Sequence, residues 1–175
     1  VYNFVFLLHL GCVVIGFGSS FVYPLLSTRT RRMWSEDSKA AYAIDHAALQ
    51  VSKIVTSPFI YAAAAFGLIL AILGSTEGTS FSRNFKFSQT WISAAFVLFF
   101  AGLAVELLLH RPNLNAMDAL EEQLSSGAIG AGPDGGAPKQ ATELDERRPR
   151  AAMYGGILHV LWLLLMIDMI WKPGF

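Results

Sequence analysis

The stretch Val1 to Leu26, VYNFVFLLHLGCVVIGFGSSFVYPLL, contains no Asp, Glu, Lys or Arg. At about 1.5 Å per residue a helix of this length crosses the ~30 Å hydrocarbon core of a bilayer. In lipid every backbone N–H and C=O must be satisfied within the chain, so such a stretch is restricted to a helix. It lacks the basic flank and small-residue cleavage site of a secretory leader, and a permanent span is expected. Cys12, Gly16 and Ser20 recur every four positions, with Gly11 beside them. Small residues at that spacing let a second helix approach closely, which is what drives helix association in lipid.

Three further apolar stretches follow, at 54–74, 91–109 and 151–171. Pro58 falls early in the second, where a missing N–H is tolerated or kinks the helix. Gly67 follows Ala62–Ala65 on a second close-packing face. The expected fold is all-α: a polytopic membrane protein of four transmembrane helices in one bundle, a single domain over 1–175. Hydrophobic residues make up 54% and charged residues 15% of the chain, which suits a membrane protein and leaves no room within 175 residues for a soluble catalytic domain. The segments 35–53 and 113–126 keep helical apolar spacing and are expected as short amphipathic helices on the cytoplasmic side. Residues 127–142, rich in Gly, Pro and Ala, are expected as a flexible cytoplasmic loop.

Charge sets the orientation. Arg29, Arg31, Arg32, Lys39 and Lys53 follow the first stretch, and Arg111, Lys139, Arg147, Arg148 and Arg150 follow the third. These are ten of the thirteen basic residues, so loops 27–53 and 110–150 are expected in the cytoplasm and both termini outside. The compartment expected is a bacterial cytoplasmic (inner) membrane. Loop 110–150, with an apolar stripe of Leu114, Met117, Leu120 and Leu124, is also a candidate dock for a soluble partner.

Four ionisable residues fall at membrane depth: His9, Glu106, His159 and Asp168. Counted from the span midpoints, His9 and Asp168 lie roughly 7 and 10 Å to the outer side, and His159 and Glu106 roughly 4 and 9 Å to the inner side. They sort into two His–carboxylate pairs, His9 with Asp168 and His159 with Glu106. Such pairs satisfy polar groups that lipid cannot, or line a proton path or ligand cavity. His9 and His159 are also the candidate axial ligands for haem b, although they differ in depth by roughly 11 Å. Cys12 is the lone cysteine, and no Cys/His metal spacing, nucleotide loop or nucleophile elbow is present. No catalytic residue and no dedicated metal site is therefore expected, and nothing points to nucleic acid.

The patterns LHLGCVVIGFG, SPFIYAAAAFG and MIDMIWKP resemble a family of small four-helix bacterial integral membrane proteins of unknown function. That family is distantly similar to the copper-resistance D and membrane-bound protoporphyrinogen-oxidase-like groups. The resemblance implies the four-span fold and marks His9 as the shared position. The leading expectation is a non-catalytic membrane subunit or accessory protein of a larger complex, packing through small-residue faces. The alternatives are a haem- or metal-binding redox protein using His9 and His159, and a small oligomeric transporter or channel.

Overall fold

The computed structural model describes residues 1–76, 89–127 and 138–172. All of its regular structure is helical: α1 (Tyr2–Ser19), α2 (Val22–Met33), α3 (Ser38–Val51), α4 (Ser57–Thr76), α5 (Thr90–Val105), α6 (Arg111–Ser125) and α7 (Lys139–Trp171). Two five-residue π turns, Ser52–Thr56 and Glu106–His110, join α3 to α4 and α5 to α6. Counted through these joints, the described residues form four long helices, Tyr2–Met33, Ser38–Leu73, Thr90–Ser125 and Lys139–Trp171, each long and apolar enough to cross a membrane. The shortest has 32 residues, about 48 Å, so each exceeds the hydrocarbon thickness and carries a polar continuation.

The joints have a common chemical cause. Proline has no N–H, so the α-helical bond to the carbonyl four residues earlier is missing. Pro24 follows the break between α1 and α2, Pro58 the first π turn and Pro112 the second. Pro149 sits inside α7. At the α1–α2 break Ser19 and Ser20 also turn their hydroxyls back onto the carbonyls of Gly16 and Phe17, at 3.1 and 2.6 Å. Back-bonding of this kind bends helices. The segments read as separate surface helices are thus the polar halves of the long helices. Lys139–Thr142, included in the expected flexible loop, already form the first turn of α7, while 128–137 lie outside the described residues. Gly127 ends α6 in the left-handed conformation, φ +68°, which a Cβ would disfavour.

The chain divides into two compact units. The first comprises Val1–Ser20, Val51–Gly102 and Val160–Phe175. Its core joins Tyr2 of α1, Leu70 of α4, and Trp91 and Ile92 of α5, with Met169 of α7 packed against them. Lys172, at φ +47°, caps α7 and sets Nζ 5.5 Å above the Trp91 ring. The second unit comprises Phe21–Gln50 and Leu103–His159. Its core joins Leu49 of α3, Leu114 and Met117 of α6, and Leu144 and Ala151 of α7, with Tyr23 of α2 against it.

Candidate functional site

In the first unit the small residues of α1 serve the α1–α4 contact. Cys12 and Gly16 are buried, and a Cβ on Gly16 would lie 3.1 Å from the backbone N of Ile60. Gly67 of α4 faces the imidazole of His9, where a Cβ would come within 3.1 Å of Cε1. His9 Nδ1 donates to the Ala63 carbonyl at 2.7 Å, because a carbonyl can only accept. That bond places a proton on Nδ1, so in the neutral ring Nε2 is the acceptor. Ser19 and Thr56 share a hydroxyl bond of 2.9 Å across the same contact. Gly11 and Gly18, by contrast, have nothing within 4 Å of a built Cβ.

Asp168 is 8% exposed, and its Oδ2 has no hydrogen-bond partner among the described residues. The buried Tyr61 hydroxyl is likewise without one. His9 therefore gives its Nδ1 proton to a backbone carbonyl rather than to Asp168. Sequence depth had placed these two at a similar level. It could not foresee that Gly67 would admit the imidazole to the α4 backbone.

In the second unit His159 Nδ1 donates to the Gly155 carbonyl, one turn earlier, at 2.7 Å, and the ring lies 4.4 Å from that of Phe21. Its Nδ1 thus also goes to backbone and not to Glu106. His110 closes the π turn that Glu106 opens, and its buried Nδ1 has no partner among the described residues. Gly155 lies beside it, with a built Cβ 3.6 Å from His110 Cε1. His9 and His159, the candidate haem ligands, fall in different units, each ring held by a carbonyl of its own unit.

The densest polar constellation lies in the polar halves of the helices. Thr30 of α2, 1% exposed, donates to Asp45 Oδ1 at 2.7 Å, and Trp34 Nε1 reaches Oδ2 at 3.4 Å. Arg148 of α7 places its guanidinium 5.8 Å over the Trp34 ring and 3.8 Å from Glu121 of α6. His46 Nδ1 meets Asp118 at 2.8 Å while Gln50 donates to Nε2 at 3.2 Å. Asn113 donates to the Arg147 carbonyl at 3.1 Å. Burial raises the Asp45 carboxyl above the usual range, against the two hydrogen bonds and Arg148.

Sequence reading missed this cluster because ionisable residues were sought only at membrane depth. The signal was present in the spacing. Asp45 lies in register with buried Ala41, Ala48 and Leu49, and Glu121 with Leu114, Met117 and Ser125. Among the described residues no group of three or more His, Cys, Asp or Glu is placed to hold a metal ion. Set against known proteins, the chain matches no family model, no curated protein and no solved structure.

Proposed function

We propose that the chain is a non-catalytic membrane subunit or accessory protein of a larger complex in a bacterial inner membrane. Its four apolar stretches form a bundle, with both termini outside and the polar halves of the helices in the cytoplasm. Ten of thirteen basic residues support that orientation, and the exposed Arg29, Arg31 and Arg32 suit an anionic cytoplasmic leaflet. The four-helix resemblance stated above belongs to this reading. The apolar stripe Leu114, Met117, Leu120 and Leu124 is taken up by the core of the second unit, so the surface left for a soluble partner is the exposed face of α6 and of the polar half of α7.

One observation carries the reading. At most 22% of any apolar window is buried within the chain, and α1 presents Leu7, Gly11, Val14 and Gly18 along one open face. Lipid covers such a face adequately, but its two glycines gain nothing from lipid. They suit the close backbone of another subunit's helix.

The test uses the full chain purified from its native membrane in mild detergent. Gly11→Leu with Gly18→Leu is expected to leave the helix content and melting of the protein intact while a stoichiometric co-purifying protein is lost. Retention of that protein by the double variant, or its absence from the wild type, would remove the assembly reading. A visible absorption spectrum on the same sample separates the cofactor alternative. A Soret band lost in His9→Ala or His159→Ala would replace an accessory role with a redox one.

A further inference from the structure

The second unit buries two carboxyl groups against one cation. Asp45 is 5% exposed and Glu121 3%. The two are not equally equipped to carry charge. Asp45 accepts from Thr30 and Trp34. Glu121 accepts no hydrogen bond from a described residue, and its one ionic neighbour, Arg148 Nη2, stays 3.8 Å away. The same guanidinium binds Asp145 more closely, through Nη1 at 3.0 Å, and spends its face on Trp34. A carboxylate removed from water needs excellent geometry from its partner to recover the desolvation cost. Glu121 does not receive it.

We propose that Glu121 is a proton-binding switch: its carboxyl is neutral when α2, α3, α6 and the polar half of α7 are packed, and loss of that proton loosens them. The groups that face it are Tyr23 from α2, Asp45 from α3, Asp118 one turn earlier on α6, and Arg148 from α7. His46 sits on Asp118 at 2.8 Å and is the counter-group of that carboxylate, which leaves Arg148, among the described residues, as the one cation for Asp45 and Glu121 together. Carboxylates thus outnumber cations around the site, and a proton is the smallest ligand that balances it. Burial and Asp45, opposed by Arg148 and joined by Asp118, push the Glu121 carboxyl up to about 8. In the unfolded chain the same group titrates near ~4.3. Between these values the packed unit holds a proton that the unfolded chain has released. The stability it contributes is complete below ~4.3 and is lost as pH rises through about 8.

Neutral glutamine has nearly the shape of a protonated glutamate, so Glu121→Gln preserves the packed state and removes the titration. Thermal melting of the full chain in lipid nanodiscs at pH 6 and pH 9 reads the effect. The wild type is expected to lose at least ~4 °C over this interval and E121Q less than half as much. Infrared difference spectra at pH 7 supply a second readout, in which the carbonyl stretch of a protonated carboxyl group disappears in E121Q. An equal pH dependence of melting in both proteins would overturn the switch. So would a protonated-carboxyl band that persists in E121Q and vanishes instead in Asp45→Asn, which would move the proton to Asp45.

Discussion

Gly16 and Gly11 stand five residues apart on α1 and face different surroundings. A methyl group on Gly16 meets the backbone of α4, at 3.1 Å from Ile60 N and 3.3 Å from Phe59 C, and backbone cannot swing away as a side chain can. Gly16→Ala is therefore expected to destabilise the chain by about 1–3 kcal/mol, as overpacking does. Gly11→Ala meets nothing within 4 Å and gains helix propensity, so it should be neutral or stabilising by up to ~1 kcal/mol. Paired thermal melts in detergent check both signs. Thr30 supplies a second contrast. Thr30→Val keeps the shape but removes the 2.7 Å bond to Asp45 and leaves that buried carboxyl with Trp34 alone. A loss of about 1–3 kcal/mol is expected, measurable by the same melts. A loss under ~0.5 kcal/mol would mean that water reaches Asp45.

At the scale of elements, the two π turns interrupt the regular α-helical bonding of the second and third long helices. Each lies directly before an Xaa-Pro step, Ser57-Pro58 and Arg111-Pro112, and each closes by an amide bonding five residues back, Ser57 to Ser52 and Arg111 to Glu106. Amide exchange at Ser52–Thr56 and Glu106–His110 is expected to run at least ~10-fold faster than in the middle of α4 and α5, since local opening there breaks fewer bonds. Mass-spectrometric exchange in nanodiscs measures this directly, and equal protection would show that the turns are as firmly held as the helices around them. The four apolar stretches were legible because lipid permits so few backbone solutions. The joints were less so. Pro58 announced an irregularity, but whether a proline yields a kink, a break or a π turn depends on which carbonyls the neighbouring hydroxyls and amides can reach. Ser19 and Ser20 decide that at the first joint. Of the four polar halves, 35–53 and 113–126 were read as helices from their spacing, while the helical turns at 27–33 and 139–150 carry no apolar stripe that would announce them.

For the molecule as a whole, apolar periodicity located the helices but not the polar contacts among them. The depth count treated each helix as a straight rod, and a rod has no opinion about which neighbour lies beside it. His9 reaches Ala63 through the gap at Gly67, and His159 bonds within its own helix at Gly155; both outcomes turn on glycines that a depth count ignores. The Asp45–Arg148–Glu121 constellation was overlooked for a related reason: the apolar spacing was followed, and the charged residues in register with it were not. Four of the seven prolines carry a consequence of their own. Pro24, Pro58, Pro112 and Pro149 lie within the long helices, each at the end of an apolar stretch that adjoins residues 27–53 or 110–150. Hydrocarbon offers nothing to a carbonyl whose helical donor is missing, whereas water and headgroups do. In the orientation proposed above each of these four positions, one on each long helix, is a wetted notch: the carbonyl it frees belongs with the headgroups and not with the acyl chains.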